Sequence, residues 1–207
     1  MAAPRIDLAL VLAIDGSASV QYDQFQLIAT GTARALRDPG VVKGLLAGPA
    51  GASMLSLLLW SGAGAQEVVE PWTRVASEAD VLGFADAVDN MSRSVRAGTT
   101  AIGEALLASL TLLANLPAVA ARSVVDVAGD GRSNEGIPPA PIRDRMAAAD
   151  IAVNGLCVLH EEADLLEYYG SEVIGGPGAF AVSCATYGDF EEAMRRKLLR
   201  EVEAPLA

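Results

Sequence analysis

The segment Asp-Gly-Ser-Ala-Ser places one carboxylate and two hydroxyl groups within five positions, on Asp15, Ser17 and Ser19. It follows directly on an almost unbroken apolar run, residues 6–14, which is typical of a buried parallel strand. Carboxylate and hydroxyl oxygens are hard ligands that suit a divalent cation, and we expect Mg²⁺ or Mn²⁺ ahead of Ca²⁺. The pattern is short enough to arise by chance, so its weight comes from its position and from two later segments.

Two later segments carry the same kinds of side chain into loops. A glycine and two threonines, Thr99 and Thr100, precede an Ala- and Leu-rich helical pattern, where a threonine also serves as an ordinary helix cap. Another apolar run, residues 123–128, is followed by Asp130 and Gly131, a pair that is also common in simple turns. Taken together, the three segments place acidic and hydroxyl side chains in three loops at one end of one sheet.

The elements that must position these loops alternate between strand and helix along the whole chain, which indicates parallel strands joined by crossover helices. We predict an α/β, Rossmann-like, doubly wound fold: a mostly parallel six-stranded sheet with helices on both faces and ligands beyond the strand ends. A short glycine-containing gap between the second and third strands predicts a hairpin, hence one antiparallel edge strand. The predicted strands are 6–14, 53–61, 66–72, 122–128, 151–159 and 178–185. The predicted helices are 22–37, 77–92, 100–115, 139–149, 161–170 and 188–202.

The order Asp15, Ser17, Ser19, then Thr100, then Asp130 resembles the metal-ion-dependent adhesion site of von Willebrand factor A-type (vWA) domains. The second threonine of its pair is preferred, because Thr-Ala-Ile-Gly-Glu-Ala-Leu is similar to the family's threonine-then-helix pattern. The resemblance covers nearly the whole chain in strand and helix order. Further short segments resemble an uncharacterised bacterial subgroup of these domains, often exported: residues 60–62, 129–131, 173–178 and 196–201.

The resemblance implies a division of labour among the five residues. The hydroxyls of Ser17, Ser19 and Thr100 would bind the cation directly or through water. The carboxylates of Asp15 and Asp130 would hold it through bound waters and through hydrogen bonds to the serines. One coordination position would stay open for an Asp or Glu side chain of a protein partner. The implied function is a cation-dependent, adhesion-type protein-binding module that is not an enzyme and has no catalytic residues.

The alternative function is a metal-dependent phosphoryl hydrolase on the same α/β scaffold. Aspartyl-phosphatases need a second aspartate two residues after the nucleophile, and here that position is Ser17. The sequence contains neither a G-x-x-x-x-G-K-[ST] phosphate loop nor a G-x-S-x-G nucleophile motif. A Ser-His-Asp triad would have to rely on His160, the only histidine. The binding module is therefore the preferred prediction.

Composition limits the remaining possibilities. A chain of 207 residues with 52% hydrophobic residues predicts a single vWA-like domain over residues 1–207. A net charge of −11 argues against nucleic-acid or anionic-membrane binding, since phosphates would be repelled. No apolar segment reaches the roughly 18 residues of a membrane span, so no membrane insertion is expected. The start lacks a signal pattern, which leaves a periplasmic or secreted protein whose signal peptide has been removed, with a cytoplasmic protein as the alternative.

The two cysteines, Cys157 and Cys184, lie in apolar, strand-like runs. One interpretation is two buried thiols that act as small hydrophobic residues. The other is a disulfide between neighbouring strands, which would imply an oxidising compartment. The sequence leaves both open, together with the oligomeric state.

Three other charged features have alternative interpretations. Asp126 lies inside a predicted strand on the same face as Asp130, either as a structural hydrogen-bond hub or as a support for the metal site. His160 follows a strand at the end where the metal loops lie, and an exposed loop position is preferred over a metal or catalytic role. The last predicted helix carries four basic residues that we place on its solvated face: Arg195, Arg196, Lys197 and Arg200.

Overall fold

The computed structural model describes residues 3–203, which form one six-stranded sheet with helices packed on it. The strands are β1 (Arg5–Asp15), β2 (Ser53–Trp60), β3 (Gln66–Val75), β4 (Val119–Gly129), β5 (Ile151–Val158) and β6 (Ala181–Cys184). The helices are α1 (Tyr22–Leu36), α2 (Pro39–Leu45), α3 (Glu78–Asp89), α4 (Ile102–Ala114), α5 (Pro139–Ala148), α6 (Leu165–Tyr168) and α7 (Phe190–Glu203).

The strand order across the sheet is β3-β2-β1-β4-β5-β6, and only β3 runs antiparallel to its neighbour. The predicted fold class is therefore confirmed, including the antiparallel edge strand. The central strand β1 is apolar almost throughout because both of its faces are covered. Its residue Ile14 pairs with Ala128 of β4, so the two strands end side by side at the same edge of the sheet.

Helices cover the two faces of the sheet in separate layers. Helices α1, α2, α3 and α7 pack on the face that carries Leu10 and Leu12 of β1. Helices α4, α5 and α6 pack on the face that carries Val11 and Ala13. This alternation along β1 follows from the two-residue repeat of a strand, and it decides which loops lie above which face.

Two helical segments differ from the sequence prediction. Helix α2 was not predicted, because it has only seven residues and two of them, Gly40 and Gly44, are poor helix formers. It forms because the Asp38 side chain accepts hydrogen bonds from two backbone N–H groups of its first turn, and a proline begins it. The helix predicted at 161–170 is only the four-residue α6, followed by a π-helical turn, Tyr169–Val173.

Helix α4 and two strands also depart from their predicted extents. Strand β3 continues past the exposed Pro71 to Val75, since Pro71 lies at a register irregularity of an edge strand, where a missing N–H is tolerated. Strand β4 begins at Val119, three residues earlier than predicted. Helix α4 spans Ile102–Ala114 instead of the predicted 100–115, and it is buried mainly in its first half.

The two cysteines lie on adjacent strands but face opposite sides of the sheet. Cys184 of β6 pairs with Val158, whereas Cys157 pairs with Ser183, an offset of one residue. Because successive side chains alternate between faces, the two thiols belong to different halves of the core. Both are free and buried. This geometry selects the two-thiol interpretation and rules out a disulfide without a change of register.

A buried ion pair ties α7 to the sheet and corrects the predicted orientation of that helix. Lys197, placed by the sequence on the solvated face, is fully buried and forms an ion pair with Asp126 of β4. Nearby, Arg122 forms an ion pair with Glu201 at 2.8 Å, and Asn154 also donates a hydrogen bond to Glu201. Asp126 therefore acts as a structural partner of α7. Its contact is with that helix, not with the loops at the strand ends.

Within residues 3–203, no helix combines the length and the apolar character needed to cross a lipid bilayer.

Candidate metal centre

The loop after β1 folds back on the carboxylate that precedes it. Asp15, the last residue of β1, is fully buried, and its Oδ1 accepts a hydrogen bond from the Ser17 backbone N–H at 2.6 Å. Aspartate favours such turns because its short side chain reaches the backbone two residues on. The hydroxyl oxygens of Ser17 and Ser19 then lie 3.0 Å apart.

Three loops meet at this point. The Ser19 hydroxyl donates a hydrogen bond to Asp130 Oδ1 at 2.8 Å, which joins the loop after β1 to the loop after β4. The Ala18 backbone N–H donates to the Gly98 carbonyl at 2.8 Å, which joins the first loop to the segment before α4. The Thr100 hydroxyl lies 3.9 Å from the position that a Cβ on residue 131 would take. The structure thus brings the five predicted site residues together.

The loop that follows Asp130 fixes the threonine segment. The Thr100 backbone N–H donates to the Asn134 side chain at 2.9 Å, and the Asn134 backbone N–H donates to the Thr100 carbonyl at 2.9 Å. The neighbouring Thr99 is exposed, and its hydroxyl donates to Glu135 instead. Thr100 is 95% buried beside the Asp130 loop, so the structure distinguishes the two threonines as the sequence pattern did.

Arg93 holds the serine loop from behind. Its guanidinium donates three hydrogen bonds to backbone carbonyls of that loop, those of Gly16 at 3.0 Å, Val20 at 2.7 Å and Ser17 at 2.6 Å. A rigid fork of donors is well suited to fix several carbonyls at once. Arg93 thus fixes the backbone of the loop whose Ser19 hydroxyl donates to Asp130.

Both oxygens of the Asp130 carboxylate are occupied. Oδ1 accepts the hydrogen bond from Ser19, and Oδ2 accepts one from the Tyr187 hydroxyl at 2.7 Å. Tyr187 is buried and precedes α7. His160 packs edge-on against the Tyr187 ring with centroids 6.2 Å apart, and it is exposed, as the sequence interpretation preferred.

The two carboxylates place negative charge in a buried location. Burial and the proximity of Asp130 raise the pKa of Asp15 to about 7, and hydrogen bonds from Ser17 and the charge of Arg93 oppose that rise only in part. A neighbouring cation would favour the ionised form of Asp15. The electrostatics of the cluster therefore favour an added positive charge.

The donor set fits a small, hard divalent cation. Adjacent ligands of an octahedral Mg²⁺ lie about 2.9 Å apart because its metal–oxygen bonds are about 2.0–2.1 Å long. The Ser17–Ser19 oxygen separation of 3.0 Å matches this spacing, and Asp15 Oδ2 is buried without a hydrogen-bond donor. Over residues 3–203, no group of three or more His, Cys, Asp or Glu side chains could hold a metal, so hydroxyl ligands are essential to such a site.

An open groove of about 650 Å³ lies beside the cluster. Arg132 at its edge forms ion pairs with Glu162 and Asp164 and stacks over the Tyr168 ring at 5.1 Å. Four acidic residues line the groove: Glu135, Asp164, Glu167 and Glu172. The surface next to the candidate metal centre is therefore acidic and concave.

Sequence reasoning missed Arg93, Asn134 and Tyr187. Each is joined to the cluster by a hydrogen bond that spans many residues of chain, so no local pattern marks it. Asp126, for which a role at the site was one alternative, is paired with Lys197 and takes no part in the cluster.

A family model described as protein of unknown function (DUF1194) matches residues 5–206. The chain belongs to this DUF1194 family. No relative was found among curated proteins. The family is an uncharacterised bacterial one, which agrees with the subgroup that the sequence resembled.

Solved structures of vWA domains share the fold of this DUF1194 chain. The proximal thread matrix protein 1 of the mussel byssus, solved with a zinc-occupied MIDAS motif, aligns with a TM-score of 0.65 and 14% identity over 94% of this chain and 47% of its own. A von Willebrand factor type A protein from Catenulispora acidiphila aligns with a TM-score of 0.64 and 15% identity, over 95% of this chain and 43% of its own. The pilus adhesin SpaC from Lactobacillus rhamnosus GG aligns with a TM-score of 0.69 and 11% identity, over 96% of this chain and 31% of its own. The chain thus spans half or less of the length of these proteins, and the likeness confirms the vWA fold.

Proposed function

We propose that this chain is a divalent-cation-dependent protein-binding module of the adhesion type, without catalytic turnover. The observation that carries the proposal is the cluster in which Ser19 Oγ lies 3.0 Å from Ser17 Oγ and 2.8 Å from Asp130 Oδ1. The similar mussel protein holds zinc at a MIDAS motif, which supports the capacity of this fold to bind a divalent ion there.

The preferred ion is Mg²⁺ or Mn²⁺. Ca²⁺ has longer bonds, about 2.3–2.6 Å, and its adjacent ligands lie farther apart than the two serine oxygens do. The hydroxyls of Ser17, Ser19 and Thr100 would hold the ion directly or through water. Asp15 and Asp130 would act through bound waters, and Asp130 also through its hydrogen bond from Ser19.

The partner we propose is a protein that offers an Asp or Glu side chain. If both carboxylates of the cluster act through water, the directly bound ligands are neutral hydroxyls and the ion keeps most of its positive charge. An open position would then attract a carboxylate from outside. Ser19 is only half-buried and Ala18 is exposed, so the loop is accessible. The acidic groove favours basic residues next to that carboxylate on the partner.

The metal site is tested by calorimetry and by anomalous scattering with Mn²⁺. We expect one ion per chain, located between Ser17, Ser19 and Thr100. Thr100→Val removes a proposed ligand and weakens Mn²⁺ binding at least 10-fold, whereas Thr99→Val is the matched control and leaves it unchanged. A folded wild-type protein that binds no Mn²⁺ at millimolar concentration contradicts the proposal.

The open position is tested with a short peptide containing Asp between basic residues, and with the same peptide carrying Asn. Mn²⁺ on the protein broadens NMR signals of any group that binds it. We expect broadening of the Asp carboxyl carbon and none for the Asn peptide. Equal behaviour of the two peptides would exclude a carboxylate-selective position.

No observation favours the phosphoryl hydrolase alternative. Asp15 Oδ1 and both oxygens of Asp130 are held by hydrogen bonds, and His160 is exposed on the ring of Tyr187. The Mn²⁺-loaded protein is expected to release no more p-nitrophenol from p-nitrophenyl phosphate than the Asp15→Ala variant does. A higher rate for the wild type would overturn the assignment as a non-enzyme.

A single domain over residues 1–207 and a periplasmic or secreted location stay predictions. Two free, buried cysteines on opposite faces of the sheet give no support for an oxidising compartment. Export is testable by fractionating cells that express the complete gene.

A further inference from the structure

Three fully buried polar atoms without a hydrogen-bond partner belong to side chains that meet beside Gly129, next to the candidate metal centre. They are Asp15 Oδ2, the Tyr169 hydroxyl and the indole Nε1 of Trp60. Buried polar groups in folded proteins are nearly always paired with protein or with ordered water. Two of these atoms, on Asp15 and Tyr169, lie close to one point, which indicates a small polar ligand held between them.

Gly129 is the residue around which these side chains gather. A Cβ on Gly129 would lie 2.8 Å from the Tyr169 hydroxyl, 3.1 Å from Asp15 Oδ2 and 3.4 Å from Cζ2 of the Trp60 ring. The tyrosine and aspartate oxygens are thus less than about 6 Å apart, a span that one bridging water covers with two hydrogen bonds. A side chain at position 129 would crowd the tyrosine hydroxyl out of this arrangement.

In the second carboxylate of the cluster, both oxygens accept hydrogen bonds. Asp130 Oδ2 accepts one from the Tyr187 hydroxyl, and Asp130 Oδ1 accepts one from the Ser19 hydroxyl. In Asp15, Oδ1 accepts a hydrogen bond from the Ser17 backbone N–H, and Oδ2 has no hydrogen-bond donor. Tyr169 has the same relation to Asp15 that Tyr187 has to Asp130, but the Tyr169 hydroxyl forms no direct hydrogen bond with Asp15 Oδ2.

We propose that the space beside Gly129 binds one structural water, which accepts a hydrogen bond from the Tyr169 hydroxyl and donates one to Asp15 Oδ2. These two partners meet the minimum of two polar partners that a buried water needs. Burial raises the pKa of Tyr169, so the phenol stays protonated and can act as the hydrogen-bond donor. Tyr169 is then a positioning residue that orients Asp15 from behind.

The effect on the metal centre rests on the proposed function, but the water itself does not. A carboxylate oxygen accepts two hydrogen bonds, so Asp15 Oδ2 can take the structural water and still accept one from a metal-bound water. Groups that orient metal-site side chains commonly change metal affinity 10-fold or more when removed. A fixed Asp15 would therefore raise affinity without adding a ligand.

The first test is a high-resolution crystal structure of the metal-free wild-type protein. We expect a water peak within hydrogen-bond distance of the Tyr169 hydroxyl and of Asp15 Oδ2. The absence of such a peak, with the two oxygens too far apart to bond directly, overturns the proposal whether or not the protein binds metal.

The second test is Tyr169→Phe, with Tyr168→Phe as the matched control. Tyr168 is adjacent in sequence, but its hydroxyl accepts a hydrogen bond from the Ser133 N–H and from none of the five candidate site residues. We expect Tyr169→Phe to lose the water peak and to weaken Mn²⁺ binding about 10-fold at unchanged melting temperature, and the control to do neither. Wild-type Mn²⁺ affinity in Tyr169→Phe would exclude the positioning role. A wild-type protein that binds no Mn²⁺ refutes the proposed function instead, and the water peak still decides the water site.

Discussion

At the scale of single residues, the site depends on side chains that would never touch the ion. Arg93 is the clearest case, because its guanidinium holds three carbonyls of the serine loop. The hydroxyls of Ser17 and Ser19 converge only while that loop keeps its shape. Neutral hydroxyls are weak metal ligands individually, so metal affinity depends on holding several of them in the right positions.

We predict that Arg93→Ala weakens Mn²⁺ binding about 10-fold, the usual scale for residues that orient metal ligands. Arg96→Ala is the control, since Arg96 is an exposed arginine three residues away. Both are measured by calorimetry on protein shown to be folded by circular dichroism. Equal affinities in the two variants would mean that the loop keeps its shape without Arg93.

The proximity of the five candidate site residues could be predicted from sequence, because two of the three segments follow strands whose order in the sheet fixes where they end. Arg93 and Tyr187 could not be predicted. Arg93 lies in an irregular segment and Tyr187 in a single 3-10 helical turn, and the partner is 76 residues away for Arg93 and 57 for Tyr187. Only the packed sheet brings such groups together, and hydropathy patterns carry no record of it.

At the scale of elements, the link between α7 and the sheet is electrostatic as well as apolar. Lys197 and Asp126 are buried together between the helix and β4. A helical pattern rich in Arg and Lys indicates a solvated face, and nothing in that pattern marks Lys197 as the one cation that points inward to a strand carboxylate.

We predict that Asp126→Ala lowers the free energy of unfolding by about 3–5 kcal/mol, because it leaves the Lys197 ammonium buried and unpaired. The double variant Asp126→Leu with Lys197→Met removes both charges and is expected to recover most of that loss. Denaturant unfolding in metal-free buffer measures all three proteins. Mn²⁺ affinity of folded Asp126→Ala is expected to be normal, and a loss of affinity would return Asp126 to the metal site.

The neighbouring strands β5 and β6 make a separate prediction about the cysteines. Burial raises the pKa of Cys157 to about 12 and that of Cys184 to about 11. At pH 8 both are therefore protonated thiols, and the thiolate is the reactive form. We expect no alkylation by iodoacetamide in the folded protein and two alkylated thiols after unreduced denaturation. A single disulfide in that sample would require a shift in the β5–β6 register.

At the scale of the whole molecule, metal binding and stability are linked. An ion that binds only the folded state stabilises it by about 2.7 kcal/mol when its free concentration is 100 times the Kd. For a chain of this size, that corresponds to a rise in Tm of about 5–11 °C. We expect this shift with Mn²⁺, its reversal by EDTA, and its absence in Asp15→Ala. A similar shift in Asp15→Ala would show that the stabilising ion binds elsewhere.

The overall topology was the most predictable feature, since alternating strands and helices leave few possible sheets. Element ends were less predictable. Helix α2 depends on one capping aspartate, and β3 passes through Pro71 only because it lies at an edge. Such details are set by contacts with neighbouring elements, which the hydropathy of a segment does not report.

The hydrogen bond between Ser19 and Asp130 joins residues 111 positions apart, and this separation has a kinetic consequence. The cluster requires β1 and β4 to have paired and their loops to have closed, which is entropically costly over this separation, and we predict that it forms after the folding transition state. The cation would therefore bind neither the unfolded state nor the folding transition state, and it would stabilise only the folded state. We expect Mn²⁺ to slow unfolding in stopped-flow experiments and to leave the refolding rate unchanged. A partner that requires the bound ion would then recognise only fully folded copies of the protein.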